Sequence, residues 1–347
     1  MGNSQQRVKK LRQAIGGNDR RALERLIEKG IDINMAIDDI GNTPLTLAIQ
    51  LNQYDTVRYL VMAKCDVERR SRLQFSALEI VLLNLAHTEN SAYLEMLRVL
   101  LQAGAESVSD AVMETVFPMI QHNRELVVKL SQIVAQYAQT PYDITGTLSH
   151  VIVQHNQPEC FWTLLESGAD LRDIWPNSCD QRYFLPSSDL NEGPINTYFT
   201  TICCTRNIEF AQIYIQAANS MNVLKSIIYF ILVYPITSAS KIKELLKALV
   251  MAGYKLSDFL LIHLAREDKD IVSWYNDFQS TPLSLKHLSR LCIRKNLQTN
   301  VIYGVNKLPL PLPMMQYIRL EDIIDPKNWA RQWAKRTPRS RHTKKRL

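Results

Sequence analysis

The chain has 347 residues, of which 46% are apolar and 22% charged, a balance typical of a protein with a packed core rather than a disordered one. The net charge of +7 comes from the end of the chain, because residues 327–347 hold nine Lys or Arg and no acidic residue. Residues 1–326 hold 32 basic and 34 acidic side chains, a net charge of −2, which argues against a nucleic-acid-binding surface on the body of the protein.

No pattern in the sequence indicates catalysis or metal binding. The cysteines are scattered and form no CxxC pair, so we expect free thiols and no structural zinc. P-loop, GxSxG, HExxH and kinase signatures are all missing from the sequence. We therefore expect a protein that is not an enzyme, with no cofactor and no small-molecule substrate.

The N-terminal residues 1–9 are predicted to be flexible, and they contain no apolar stretch of the kind that directs secretion. Gly2 is a candidate acceptor for a myristoyl group, although Gln6 stands where Ser or Thr is preferred. The longest apolar run, residues 226–236, is too short to cross a bilayer. These features predict a cytoplasmic protein without a membrane span.

A repeated unit occupies the first two-thirds of the chain. Amphipathic helical segments end repeatedly in a residue suited to positive φ, usually glycine. These ends fall at Gly30, Lys64, Gly104, Gly168 and Gly253, and the first three intervals are 34, 40 and 64 residues, the last about twice 32. Regular spacing of this kind predicts stacked helical pairs that share one core.

One repeat carries a recognisable motif, Asn42-Thr43-Pro44-Leu45-Thr46-Leu47-Ala48. It resembles the T-P-L-H-x-A motif of the ankyrin repeat, with Thr46 in place of the His that ties neighbouring loops together in that family. The alternative is a set of unrelated helical hairpins. The resemblance implies an array over about residues 10–275, with a concave binding surface. Residues 174–194 are polar and turn-rich, which indicates either an insertion loop that interrupts the period or a degenerate repeat with a long finger.

The segment after the array begins with a helix-start signal, Thr281-Pro282. Its apolar and small residues follow helical spacing, so we expect one face to be buried against a partner or against the last repeat. That stripe consists of Leu285, Leu288, Ser289, Cys292 and Ile293, with Lys286, Arg290, Arg294 and Lys295 mostly off it.

Residues 280–322 resemble a SOCS box through two elements in order. Ser284 to Ile293 is similar to the elongin-binding pattern [ST]-L-x-x-x-C-x-x-x-[ILV], with Ser289 at the Cys position. The second element is similar to the cullin-facing pattern L-P-L-P-x-x-L-x-x-Y-[LI] and begins at Leu308. The resemblance implies elongin contacts from Leu285, Leu288, Ser289 and Ile293, and cullin contacts from Leu308, Pro309, Leu310, Pro311 and Tyr317.

The prolines predict an extended segment from Leu308 to Pro313, followed by a short amphipathic helix containing Met314, Tyr317 and Ile318. Ser289 is smaller and more polar than cysteine, so we expect it to weaken the elongin complex.

The two resemblances together imply an all-α protein, an ankyrin-repeat solenoid followed by a small helical SOCS box. In the family that combines them, the SOCS box recruits elongin B/C and cullin-5 with its RING partner, and the array holds a protein substrate for ubiquitination. The sequence does not identify that substrate. The alternative is a ligase-independent ankyrin scaffold that binds a signalling or nuclear partner and uses the C-terminal box as a cap.

The basic tail, residues 327–347, lies beyond the segment that resembles the family. One interpretation is a solvated, disordered tail. The other is a nuclear-localisation element, which would add the nucleus to the expected cytoplasmic location. A third function class, a nucleic-acid-associated factor, depends on this tail alone, and we expect no nucleic-acid partner. The two basic clusters are Lys335-Arg336 and Lys344-Lys345-Arg346.

Overall fold

The computed structural model describes residues 2–106, 108–137, 144–169, 208–219, 239–267 and 269–324. These residues form 17 α-helices. They divide into two compact units, Met1–Val151 and Ile152–Leu347. The predicted insertion at 174–194 and the basic tail at 327–347 lie outside the described residues. No helix within the described ranges is long and apolar enough to cross a membrane.

The first unit consists of helices that pack in sequential pairs. Each helix contacts its pair mate, and α3 and α5 also contact the corresponding helix of the next pair. Their apolar faces form the core, which includes Leu45, Leu78, Leu97 and Phe117. The helices are α1 (Gly2–Gly16), α2 (Arg20–Glu28), α3 (Pro44–Gln50), α4 (Tyr54–Met62), α5 (Ala77–Thr88), α6 (Ala92–Gln102), α7 (Asp110–Ile120) and α8 (Arg124–Tyr137).

The residues predicted to end the second helix of each pair have the expected backbone conformation. Gly30 has φ of 75° and Lys64 has φ of 60°, and Gly104, Gly168 and Gly253 are also positive. The left-handed conformation lets the chain turn sharply out of a helix, and glycine adopts it without a steric penalty. Lys64 shows that the repeat geometry can impose this conformation on a residue that has a Cβ.

The motif at residues 42–48 forms a capped helix start. Pro44 is the first residue of α3, and Thr43 and Thr46 form a capping box. The Thr43 main-chain N–H donates to Thr46 Oγ1 at 2.8 Å, and the Thr46 N–H donates to Thr43 Oγ1 at 3.2 Å. Thr46 therefore bonds within its own repeat.

The next repeat places Glu79 at the position of Thr46, and Glu79 provides a buried link between repeats. Its Oε2 accepts a hydrogen bond from the Ser76 N–H at 2.8 Å and pairs with Arg70 Nη1 at 3.0 Å. Its Oε1 accepts from the N–H of Ser109, 30 residues further on, at 2.8 Å. This buried carboxylate joins two successive repeats.

Residues 1–9 were predicted to be flexible, and residues 2–9 lie in the first half of α1, which begins at Gly2. The buried side chains of this helix lie further along, at Leu11, Ala14 and Ile15. α1 packs on both α2 and α3. The buried end supports a helix whose first turns are polar.

The second unit joins the later helices to the C-terminal box. α10 packs on α11, α11 on α12, and α13 on α14, while α16 contacts both α10 and α11. Helix α9 (Ile144–Gln154) contains the boundary between the units. The other helices are α10 (Pro158–Glu166), α11 (Ile208–Ala217), α12 (Ala239–Met251), α13 (Asp258–Glu267), α14 (Lys269–Ser280), α15 (Leu285–Asn296), α16 (Val301–Asn306) and α17 (Leu312–Ile318).

Candidate partner-binding face of the C-terminal box

Helix α15 carries the residues predicted to bind elongin, and it begins three residues after the predicted Thr281-Pro282 signal. Ser284 is its N-cap, and the Ser284 hydroxyl accepts a hydrogen bond from the His287 N–H at 3.2 Å. Thr281 instead closes the preceding helix, since its hydroxyl donates to the Asp277 main-chain oxygen at 2.8 Å. Thr281 and Ser284 are both residues that can cap a helix. Ser284 caps the start of α15, and Thr281 belongs to the end of α14.

The apolar and polar faces of α15 are reversed relative to an ordinary surface helix. Leu285 is 80% exposed and Leu288 is 47% exposed. Ser289 and Cys292 are exposed as well, and Ile293 is half-buried. The buried residues of this helix are His287, Arg290 and Arg294. The stripe predicted to be covered is therefore open in the isolated chain, and the arginines predicted to lie mostly off it point into the protein.

The two terminal nitrogens of the buried Arg294 donate to main-chain oxygens. Its Nη2 donates to Ile215 at 2.6 Å and to Ala218 at 2.8 Å, and its Nη1 donates to Ile318 at 2.9 Å and to Gln216 at 3.2 Å. Three of these oxygens lie at the C-terminal end of α11, where helix carbonyls lack partners and carry partial negative charge. Burial, together with neighbouring Arg290, lowers the pKa of Arg294 to about 9, so the side chain is still charged at neutral pH.

Arg290 joins α15 to α17. The carbon of its guanidinium lies 3.4 Å from the centroid of the Tyr317 ring, and its Nη2 is 2.6 Å from Asp322 Oδ2. Lys286, one turn earlier, places its Nζ 4.1 Å from the same ring centroid. Cations near an aromatic ring are attracted by its electron-rich face, more strongly when they are removed from water.

His287 is buried beside these groups. The Phe278 ring meets the imidazole edge-to-face at 5.9 Å. Burial and the Arg290 charge lower the pKa of His287 below its usual value, and the Asp322 carboxylate opposes that shift. The neutral form of the imidazole is therefore favoured at physiological pH.

The predicted cullin-facing segment lies against a small core. Val301, Val305 and Ile318 are buried together, and the partly buried side chains of Ile293, Leu297, Leu310 and Met315 pack against them. Leu308 is also half-buried, whereas Pro309 and Pro311 are exposed. Two of the residues predicted for partner contact, Ile293 and Leu310, therefore also hold the box together.

The extended segment is shorter than predicted. It ends at Pro311, which is the N-cap of α17, and Leu312 and Pro313 already belong to the helix. Proline is compatible with the first turn, because the N–H it lacks has no partner there. Leu312 is 62% exposed and Met314 is 51% exposed, Tyr317 is half-buried, and Ile318 is buried.

Two asparagines attach the box to α10 and α11. Asn300 Nδ2 donates to the main-chain oxygens of Ala169, at 2.6 Å, and Leu165, at 3.0 Å. Asn219 Nδ2 donates in the other direction, to Thr299 at 2.8 Å and Leu297 at 3.0 Å. Hydrophobic patterning does not predict these asparagine contacts. The sequence signal for the buried side of α15 was the spacing of Arg290 and Arg294, which lie four residues apart and therefore on one face of the helix.

The remaining predicted site residues and several cysteines lie outside the part of the chain that the structure describes. Lys335, Arg336, Lys344, Lys345 and Arg346 lie outside the described residues, and so do Cys179, Cys203 and Cys204. Within the described part of the chain, no three His, Cys, Asp or Glu side chains are grouped so that they could hold a metal ion.

Comparison with known protein families finds one match in the N-terminal part of the chain and one in the C-terminal part. The SOCS-box family model matches residues 281–319, and a model of ankyrin repeats in three copies matches residues 9–71. No curated protein matches the chain. One similar solved structure is the complex of a predatory endopeptidase from Bdellovibrio bacteriovorus with its immunity protein. That match has 23% identity, covers 47% of this chain and 83% of that chain, and has a TM-score of 0.32.

Ankyrin repeats and SOCS boxes are non-catalytic modules, and their combination supports a substrate-adaptor role for a cullin–RING ubiquitin ligase in general. The repeats lie toward the N-terminus and the SOCS box toward the C-terminus, as the sequence predicted. The chain therefore contains both ankyrin repeats and a SOCS box, the combination that the sequence predicted.

Proposed function

We propose that this protein is the substrate-recognition adaptor of an elongin B/C–cullin-5–RING ubiquitin ligase. The observation that supports this most is the outward apolar face of α15. An adaptor needs an exposed apolar face for its partner, and Leu285 and Leu288 provide one while Arg290 and Arg294 fix the opposite side of the helix. Exposed apolar patches of this kind mark interaction sites.

Elongin C would bind Leu285, Leu288, Ser289 and Ile293. Leu285 is the proposed anchor, because it is the most exposed of the large apolar residues that the structure describes. Truncating a well-buried leucine anchor costs about 2–4 kcal/mol of binding free energy. Ile293 would contribute at the edge, since part of its side chain is already packed in the box.

Cullin-5 would bind the segment of Leu308, Pro309, Leu310 and Pro311, with Tyr317 in the helix that follows. The exposed prolines support this role because their fixed φ restricts the backbone of the segment before the partner arrives. A preorganised segment loses less conformational entropy on binding than a flexible loop does.

The remaining assignments follow the same proposal. The array over about residues 10–275 would hold a protein substrate, and the box at 280–322 would recruit the ligase. We place the adaptor in the cytoplasm, with the tail at 327–347 as the proposed determinant of any nuclear fraction. The chain itself would bind and orient its partners, and the RING partner of the cullin would supply the transfer chemistry.

The alternative function, an ankyrin scaffold capped by the box, has one observation in its favour. Arg294 and Asn300 bond to the ends of α11 and α10, so the box does cover helix ends of the second unit. A cap, however, gives no reason for Leu285 and Leu288 to face outward. The adaptor explains both faces of α15, and we therefore prefer it.

Alkylation of Cys292 tests whether elongin occupies this face. Cys292 is an exposed thiol on the Leu285 side of α15, whereas Cys65 is buried in the first unit. Burial raises the pKa of Cys65 to about 11, which makes it a slow internal reference. We expect purified elongin B/C to slow the reaction of Cys292 with iodoacetamide, followed by peptide mass spectrometry, and to leave Cys65 unchanged. An equal rate for Cys292 at saturating elongin B/C would contradict the proposal.

A chromatography experiment tests the cullin assignment. The chain saturated with elongin B/C should co-elute with the N-terminal domain of cullin-5, and should co-elute less with the same domain of another cullin. Equal retention of both domains would remove cullin-5 from the proposal while leaving the elongin site in place.

A further inference from the structure

The side chain of Tyr317 is committed to contacts within the chain. Its ring lies under the guanidinium of Arg290 at 3.4 Å and near the ammonium of Lys286 at 4.1 Å. These two cations stand one turn apart on α15, the helix whose other face carries Leu285. The ring is half-buried. Two cations of the chain therefore already contact this ring.

Arg290 depends on this ring in turn. Its side chain is fully buried, and within the described part of the chain its Nε and Nη1 have no hydrogen-bond partner. The charge is stabilised by Asp322 at 2.6 Å and by the face of Tyr317. A buried cation is costly unless such groups surround it. Arg290 therefore keeps Tyr317 and Asp322 in fixed positions around α15.

The contacts of Arg290 also fix the direction of α17. Tyr317 lies in the last turn of that helix, Asp322 follows it, and Arg294 bonds to the oxygen of Ile318 at 2.9 Å. Leu312 and Met314, at the start of the same helix, are exposed. Holding the last turn of a seven-residue helix orients its first turn and the proline segment attached to it.

We propose that Tyr317 is a positioning residue: through Arg290 it lets the elongin-facing helix set the orientation of the cullin-facing segment, and it makes no essential contact with the cullin itself. This inference rests on the function proposed above. It divides the residues predicted for the cullin between two roles. Leu308 to Pro311 and Leu312 meet the partner, and Tyr317 holds them in place.

A double-mutant cycle distinguishes positioning from direct contact. The readout is the affinity of cullin-5 for the chain saturated with elongin B/C. We expect Tyr317→Leu and Arg290→Met each to weaken cullin binding about tenfold, and the double variant to be no weaker than either one, because both break the same link. Tyr317→Phe keeps the ring and should bind within about twofold of the wild type.

Leu312→Ala is the matched control for a direct contact. Its loss of cullin affinity should multiply with that of Arg290→Met, since distant independent effects add in free energy. If the losses of Tyr317→Leu and Arg290→Met multiply in the same way, Tyr317 contacts the cullin directly and the inference fails. It also fails if Tyr317→Phe is as weak as Tyr317→Leu, because the hydroxyl would then be the essential group.

Two further readouts separate this inference from the proposed function. Elongin B/C affinity should stay within about threefold of the wild type in Tyr317→Leu, which shows that the box is folded. Amide hydrogen exchange across residues 312–318 should speed up in Tyr317→Leu and Arg290→Met but not in Tyr317→Phe. If the wild type does not bind the cullin at all, the proposed function fails. Unchanged hydrogen exchange in Tyr317→Leu and Arg290→Met would overturn the positioning role of Tyr317.

Discussion

The Nη2 atom of Arg294 lies 2.6 Å from the main-chain oxygen of Ile215, and this contact joins the predicted elongin-facing helix to the end of α11. The same guanidinium bonds three further main-chain oxygens. It is buried, so an apolar side chain of similar size in its place would leave those oxygens without its donors. One arginine thus attaches the C-terminal box to the helices before it.

Arg294→Met should lower the free energy of unfolding of the second unit by about 3 kcal/mol, because it leaves several buried carbonyl groups unpaired. Lys295→Met is the matched control on the neighbouring, exposed residue, and it should change stability by less than about 0.5 kcal/mol. Urea unfolding of both variants measures the difference. Equal effects of the two substitutions would show that the carbonyl contacts of Arg294 are not important for stability.

Glu79→Ala should destabilise the first unit by about 3 kcal/mol, since it removes the acceptor of the Ser76 and Ser109 N–H groups and the partner of Arg70. Glu95→Ala is its control. Glu95 is exposed, and its ion pair with Arg98 at 3.4 Å lies on the helix surface. That change should cost less than about 0.5 kcal/mol. Thermal unfolding of the two variants should separate them clearly, and similar melting temperatures would refute the link between repeats.

The repeat architecture could be predicted because its signals are local. A proline at the first position of α3 and glycine at most of the helix ends favour the observed backbone conformation locally, and only Lys64 needs the repeat geometry to impose it. Thr46 alone suggested a lost connection between repeats. Glu79 provides such a connection one repeat later. It stands where the family motif has His, and its role could not be predicted because its partner Ser109 is 30 residues away in the sequence.

The C-terminal face was harder to predict. Helical spacing correctly grouped Leu285 with Leu288, but it could not say whether their stripe faces the core or the solvent. The direction is determined by Arg290 and Arg294, which find Tyr317, Asp322 and the α11 carbonyls only in the folded chain. The rule that charged residues lie outside fails here, because each buried guanidinium has an aromatic face, a carboxylate or carbonyl oxygens beside it.

Ser289→Cys should tighten elongin B/C binding by about 1 kcal/mol, or roughly fivefold. Ser289 is exposed, and no hydrogen bond to its hydroxyl is present among the described residues. Burying that hydroxyl under elongin would therefore cost free energy that a thiol does not cost. Calorimetric titration measures the change, with Ser91→Cys, an exposed serine of the first unit, as the control. Weaker binding by Ser289→Cys would mean that the hydroxyl is hydrogen-bonded in the complex.

Stability of the box should fall in mild acid because of His287. Burial and Arg290 lower the pKa of this residue in the folded chain, while Asp322 opposes them. The unfolded chain then binds a proton more readily, so the free energy of unfolding decreases as pH falls below about 6.5 toward the folded pKa. Melting temperatures at about pH 7.5 and about pH 5 should differ less in His287→Gln than in the wild type. His87→Gln, an exposed histidine, should not reduce the difference; an equal reduction in both variants would contradict this account.

The most direct measurement of the central claim is the affinity of elongin B/C for the wild-type chain and for Leu285→Asp, with thermal unfolding of both. Leu73→Asp is the matched control, because Leu73 is another exposed leucine and lies in the first unit. We expect Leu285→Asp to lose at least about 2–4 kcal/mol of binding and to keep the wild-type melting temperature, and Leu73→Asp to bind normally. If Leu285→Asp binds elongin B/C as tightly as the wild type, the outward-facing adaptor surface is contradicted. It is also contradicted if the substitution lowers the melting temperature, because Leu285 would then be part of the folded core.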